Sequence, residues 1–462
     1  MRLLKWFEID KAIIFVLFAR GWQLLAAPLS IVLIANYLTP DAQGFYYTFG
    51  SLLALQFFVE LGFSLVIINV SSHEWTHLRL DPAGFIVGEP EALSRLISLG
   101  RLVYQWYAIA STIFILGVSI GGYFFFSQMA HPPINWQLPW FSLVILTGLL
   151  LWVLPFNVLL EGCNQVAAVN QFRFNQAIVN NVALWLMIAA NGQLWSLVVA
   201  AGAKLAINLY FLLIQYRNFF KPFFKPPVGS TMVWRTEIWP MQWRLGLSTV
   251  TIYFAFALYN IVMFQYHGPV IAGQMGITRQ MVLALELMAM AWVETKIARF
   301  GMLIAQKAYA ELDRFWWRVS LLSLGVISVG GSTAWVLVYV LNLFAAPVAQ
   351  RMLAPWPTAI FLLASVVMHI PKCQIIYLRA HKQEPTMLMG VTTNLATGLL
   401  VWWLGSRFGP LGASWAYLVT SIITFVWTTP IWLRCRAAWH KPSGQNLLLN
   451  SHFHASQNKR CS

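Results

Sequence analysis

Six ionisable residues lie inside long apolar stretches of the chain, and these are the groups placed to do chemistry: Arg20, Glu60, Lys204, Arg279, Glu286 and Lys372. On insertion scales such a group costs about 2.5–3.5 kcal/mol in a membrane interior, so it faces a cavity or a partner. Arg20 lies about nine residues into its stretch, some 13 Å deep at about 1.5 Å per residue. Lys204 is central in SLVVAAGAKLAINLY, Lys372 follows Pro371 in MHIPKCQIIY, and Arg279 lies in GITRQMVLALE. The four cations read as a cationic, anion-binding set, because Arg holds a phosphate with two parallel hydrogen bonds and Lys acts as a point charge. The alternative for each is a nearby carboxylate or a head group that reaches the interface. Glu60 and Glu286 are the two deep carboxylates. Each either binds a proton or sodium ion and couples its gradient to transport, or serves as counter-ion to one of the cations. Arg279 and Glu286 are seven residues apart, on one helix face but two turns from each other, which disfavours a direct pair.

The elements that carry these residues follow from composition. Of 462 residues, 59% are hydrophobic and 10% charged, against about 25% charged in a soluble domain. The chain is therefore an all-α polytopic membrane protein. Hydropathy places twelve spans at approximately 12–37, 44–70, 102–127, 137–160, 174–190, 193–216, 241–265, 270–295, 317–343, 355–378, 386–405 and 409–433. Most are long enough for a helix to cross about 30 Å of hydrocarbon. The N-terminal span exceeds the roughly 7–15 apolar residues of a signal peptide and reads as a retained membrane helix.

Alternating the loops between sides puts 24 of the 30 Lys and Arg on one side with both termini, three on the other, and three inside spans. That bias predicts both termini in the cytoplasm. It also accounts for the net charge of +15 without a nucleic-acid partner. Tyr37, Pro40 and Gly44 of YLTPDAQG align without a gap to Tyr266, Pro269 and Gly273 of YHGPVIAG, close to half the chain length away. The expectation is two parallel six-helix repeats around a central cavity, the geometry of alternating access. Residues 1–216 form the N-terminal lobe, the basic and Pro-rich 217–240 a cytoplasmic linker, 241–436 the C-terminal lobe, and 437–462 a polar cytoplasmic tail.

No catalytic motif, cofactor motif or metal-ligand spacing is present, so an enzyme is not expected. Cys163, Cys373, Cys435 and Cys461 read as reduced and structural. The Trp and Tyr residues default to interfacial belts, and the Met cluster in 281–290 to packing.

Several stretches together resemble bacterial polysaccharide flippases of the O-antigen type. They are IANYLTPDAQGFYYTFGSLLAL and VELGFSLVIINVSS in the opening pair of spans, and LLEGCNQVAAVNQFRFNQ at 159–176. AGQMGITRQM with AWVETKIARFGMLIAQ at 272–306, and FGPLGASWAYLV at 408–419, continue the likeness. That family shares a superfamily with multidrug exporters and the lipid II flippase. The resemblance implies two six-helix bundles in a V. It implies translocation of an undecaprenyl-diphosphate-linked oligosaccharide from the cytoplasmic to the periplasmic leaflet of the bacterial inner membrane. Neighbouring polysaccharide polymerase and glycosyltransferase proteins are implied in the same way. Arg20 matches a first-span cation of that family; Lys204 and Lys372 rest on depth, not on the resemblance. The rival readings are a multidrug exporter of the same superfamily, which predicts carboxylates rather than cations in the cavity, and a membrane polymerase or glycosyltransferase. The short, nearly acid-free external loops, with Asp41 their one acid, disfavour the last.

Overall fold

A computed structural model describes residues 11–128, 134–381 and 385–440, with side chains left out at 11–14, 16, 17, 20, 24, 240, 241, 244 and 248. The chain divides into two compact units, Met1–Tyr253 and Phe254–Ser462. The described residues are almost entirely helical, as the bilayer requires, because every backbone polar group there must be satisfied within its own segment.

In the first unit, α1 (Lys11–Tyr37) is followed by a broken passage of α2 (Pro40–Leu53), α3 (Gln56–Glu60) and α4 (Phe63–Trp75). A hairpin of β1 (Leu78–Leu80) and β2 (Ile86–Gly88) leads to α5 (Pro90–Ser127), α6 (Gln137–Gly162), α7 (Val166–Ala189) and α8 (Trp195–Tyr210). Helix α8 ends in a π-helical turn, Phe211–Gln215, and α9 (Trp239–Phe256) begins the seventh passage. The second unit continues with α10 (Leu258–His267), α11 (Pro269–Glu294), the short α12 (Ile297–Ala305), α13 (Tyr309–Leu343), α14 (Pro355–Ala380) and α15 (Met387–Trp439). Helix α15 is two helices merged across Gly409, whose φ of 59° and ψ of −142° are not helical.

Counting α2–α4 and α9–α10 as one passage each and α15 as two, and leaving out the nine-residue α12, gives twelve helical passages among the described residues. Seven helices there are long and apolar enough to cross a membrane by a strict criterion, and the bent pair Pro40–Glu60 and Phe63–Trp75 makes an eighth. One of the seven is the doubled α15. The shortfall falls on α1, on α7 with its Asn and Gln residues, and on α11 with its ionisable ones.

The repeat is visible in local structure. Pro40 and Pro269 both occupy the first turn of the second passage, where a missing N–H costs nothing. The third passages are the long α5 and α13, of 38 and 35 residues. The fourth passages, α6 and α14, have 26 residues each with an internal proline, Pro155 and Pro371. Thr39 caps α2 by accepting a hydrogen bond from Ala42 N–H at 3.2 Å. Gln193, from the short NGQ loop, clamps that turn by accepting from Thr39 N–H at 3.3 Å and donating to the Tyr37 carbonyl at 3.4 Å.

The second passage departs from expectation: it starts at Pro40 rather than Gly44, and it breaks. Leu61 and Gly62 are both left-handed, at φ 45° and 66°, and the helix bends by 41°. Helix α9 crosses at this point, so that a Cβ added at Gly62 would lie 2.8 Å from Leu245 Cβ, and one at Gly246 would lie 3.2 Å from Leu61 Cβ. This packing explains why the compact units divide at 253/254, inside the seventh passage, rather than at the 217–240 linker. Gly62→Ala is expected to lower stability by about 1–3 kcal/mol, from left-handed strain and the clash together. An unchanged melting temperature in detergent would contradict this close approach.

The link 71–101, which sequence leaves as a loop, contains the β-hairpin in antiparallel register (Leu78 opposite Gly88) and the first turns of α5. Arg95 ties this region to the linker through Glu74 at 2.9 Å and Glu237 at 2.6 Å. The Val233 N–H, then Arg95, hold the Glu237 carboxyl below its usual range, and the bond to Glu74, then that to Glu237, raise the Arg95 guanidinium. A depressed carboxyl contributes stability above its unfolded value and loses it as pH falls through the folded one. Limited proteolysis within 217–240 should therefore rise as wild type is acidified below the ordinary glutamate range. Glu237→Gln should be nicked at the acid rate already at pH 7; equal nicking of the two proteins at pH 7 would argue against the tie. Of the expected tail 437–462, residues 441–462, with Cys461, lie outside the described residues, and helix α15 extends to Trp439, past the expected end of its span.

Candidate functional site

Four of the six sequence-derived residues engage neighbours through their own polar groups, and they fall into two settings. The first is a connected polar network in the second unit. Helix α11 presents Arg279 and Glu286, α14 presents Lys372, and the C-terminal half of α15 presents Tyr417. Lys372 Nζ donates to Glu286 Oε2 at 2.7 Å, and Tyr417 Oη donates to Glu286 Oε1 at 2.9 Å. The Glu286 side chain is only 7% exposed, against 31% for Lys372, so the lysine is the solvent-facing member. Glu286 is thus the counter-ion of Lys372, one of the two roles the sequence left open.

Arg279 does not reach Glu286. Its guanidinium lies 4.3 Å from the ring centroid of Tyr259 and 5.0 Å from that of Tyr417, with Phe361 and Phe256 at 5.7 and 5.9 Å. A cation over aromatic faces is stabilised by the ring quadrupoles, more so when desolvated. Tyr417 belongs to both halves of the network, with its face toward Arg279 and its hydroxyl on Glu286. One turn from Lys372, the buried His369 has Nε2 at 2.8 Å from Ser323 Oγ. That hydroxyl donates to the Ala289 carbonyl, so the imidazole Nε2 donates to Ser323, and in the neutral ring Nδ1 is an acceptor. Nδ1 is buried without a hydrogen-bond partner among the described residues.

The second setting is the first unit, where Glu60 and Lys204 are not paired with each other. Glu60 closes α3 at the helix break, and Ser64 Oγ donates to its Oε1 at 2.7 Å. No cation contacts Glu60 among the described residues. Lys204 is half-buried on α8, packed against α7, where Gln176 Nε2 reaches the Lys204 carbonyl at 3.5 Å. Its ammonium has no ion pair among the described residues. The side chain of Arg20 lies outside the described residues, and only its place on α1 is given. A further buried polar contact, Asn157 Nδ2 to Asn208 Oδ1 at 3.0 Å, joins α6 to α8.

Sequence reasoning missed Tyr417 and His369. Tyr417 sits well inside its span, deeper than an interfacial belt requires, and His369 is an ionisable residue within the span at 355–378. Depth is the signal that could have found both. Cys163, Cys373 and Cys435 are buried and form no disulfide among the described residues.

No family model and no curated protein matches the sequence. Solved structures do match over nearly the whole chain. An inward-facing multidrug resistance MATE family transporter of the MOP superfamily superposes with a TM-score of 0.60 at 11% identity, covering 94% of this chain and 100% of that one. The MATE multidrug transporter DinF-BH, solved as a complex, gives 0.55 at 12% identity over 94% and 95%. An outward-facing MATE transporter of the same superfamily gives 0.52 at 11% identity over 94% and 98%. The chain has the fold of these transporters, an all-α multi-pass membrane architecture of two repeated helical bundles.

Proposed function

We propose that the chain is an exporter that works by alternating access, with its two lobes, 1–216 and 241–436, joined by the linker 217–240. The observation that carries this reading is the whole-length likeness to transporters solved both inward- and outward-facing. It is not an enzyme and has no nucleic-acid partner in this reading. The 24-to-3 bias of Lys and Arg supports both termini in the cytoplasm, and the location in this reading is the bacterial inner membrane.

The substrate reading best supported is multidrug export. The fold neighbours are multidrug transporters by name, and Glu60 is a carboxylate without a cation partner among the described residues, suited to a proton, a sodium ion or a cationic substrate. The second unit adds less free charge than its ionisable side chains promise, because Lys372 and Glu286 neutralise each other.

One observation favours a second reading, translocation of an undecaprenyl-diphosphate-linked oligosaccharide. Lys204 carries an ammonium with no ion pair among the described residues, and Arg279 is held by rings rather than by a carboxylate. In that reading Arg20 and Lys204 hold the pyrophosphate, Arg279 and Lys372 are secondary, and polysaccharide polymerase and glycosyltransferase proteins are the partners. A deletion strain separates the two. Raised sensitivity to cationic drugs with intact surface glycans supports export of drugs. Loss of a surface polysaccharide with its lipid-linked precursor retained inside supports the flippase.

A further inference from the structure

A cavity of about 510 Å³ opens in the first unit between α5, α6, α8 and the start of the linker. Its volume falls within the range of small-molecule sites, about 300–1,000 Å³, but its walls are almost wholly apolar. Tyr104 meets Trp152 at a tilt and Phe156 edge-on, at 5.5 and 5.7 Å between ring centroids. Phe156 in turn meets Phe220 edge-on at 5.3 Å. The linker's Phe223 closes one side by lying against Gly100, where a Cβ would come within 2.4 Å of the ring. Leu212 and Leu213 enter from the π-helical turn at the end of α8, a departure from α-helix that is frequent at functional sites.

The charged residues lining this cavity are Arg101 and Arg217. Both are exposed and neither makes an ion pair among the described residues. Both lie where helices meet the cation-rich side of the membrane: Arg101 immediately precedes the third span and Arg217 follows the sixth. Other cations nearby are engaged. Arg95 holds two carboxylates, and Lys221 sits over the Phe85 ring at 5.1 Å. An aromatic and aliphatic slot with two unpaired cations at membrane-surface level is complementary to a molecule with an anionic head and a hydrocarbon tail.

We propose that this cavity binds one anionic phospholipid, its phosphate on Arg101 and Arg217 and an acyl chain against Tyr104, Trp152 and Phe156. The site belongs to one unit alone and is independent of which substrate the protein exports. Basic pockets between membrane helices recognise lipid head groups by the same electrostatics.

The test is native mass spectrometry of the full-length protein in mild detergent, with phosphatidylglycerol, phosphatidylcholine or inorganic phosphate added. Wild type should retain one phosphatidylglycerol about 30-fold better than phosphatidylcholine, the combined worth of two cations at an anionic surface. Inorganic phosphate should not displace it. The double variant Arg101→Ala/Arg217→Ala should hold the two lipids equally. Leu213→Trp, at an exposed position that fills the slot and leaves both cations, should also lose phosphatidylglycerol and serves if the double variant does not fold. Equal retention of the two lipids by wild type, displacement by phosphate alone, or undiminished phosphatidylglycerol on either variant would overturn the assignment.

Discussion

Lys372→Met should lower the stability of the folded protein by about 3–5 kcal/mol, the cost of removing one partner of a buried ion pair. The cost arises because the Glu286 carboxyl, in a site where its side chain is 7% exposed, loses its cation and is left with the Tyr417 hydroxyl alone. The unpaired buried carboxyl, rather than the lost attraction, is the larger contribution. Replacing both members should therefore recover most of the loss: in Glu286→Gln/Lys372→Met the amide oxygen still accepts from Tyr417 and no charge remains buried. The measurement is the unfolding midpoint in detergent of wild type, single and double variants. A double variant as unstable as Lys372→Met would mean that the pair contributes through packing and not through charge balance.

Glu60→Gln should reduce gradient-driven transport by about 5–150-fold, the range of a coupling free energy of about 1–3 kcal/mol. Glutamine keeps the size of the side chain and an oxygen that accepts from Ser64, so the helix break at Leu61 and Gly62 should stand. What it removes is the one deep carboxylate without a cation partner among the described residues. Glu286 cannot substitute while it is bound to Lys372. Substrate binding at equilibrium should change less than transport, as expected of a charge that serves coupling rather than substrate. If Glu60→Gln transports as wild type does at matched expression, the coupling group lies elsewhere.

The sequence made the passages legible because a bilayer admits few backbone solutions: long apolar runs must be helices, and Pro40 and Pro269 mark where two of them begin. It made the repeat legible for the same reason, through Pro and Gly at equivalent turns. The break in the second passage was not legible. Gly62 hints at it, but Leu61 takes a left-handed conformation that a leucine does not advertise, and the bend depends on α9 packing across it. The ionisable residues were legible as a set, since each is costly where it lies. Their partners were not. Lys372 and Glu286 stand 86 positions apart, and only the packing of α11 against α14 decides that they pair while Arg279, on the same face as Glu286, turns to aromatic rings. Tyr417 joins the two halves from a third helix; its depth in the span marks it as more than an interfacial tyrosine, but nothing local says that it meets Arg279 and Glu286.

The most direct test of the account is transport by the purified protein in liposomes under an imposed proton or sodium gradient, read by the fluorescence of a lipophilic cationic dye. The account predicts dye movement that needs the protein, follows one of the two gradients and is lost in Glu60→Gln. Dye movement equal in liposomes with and without the protein, under both gradients, would contradict it.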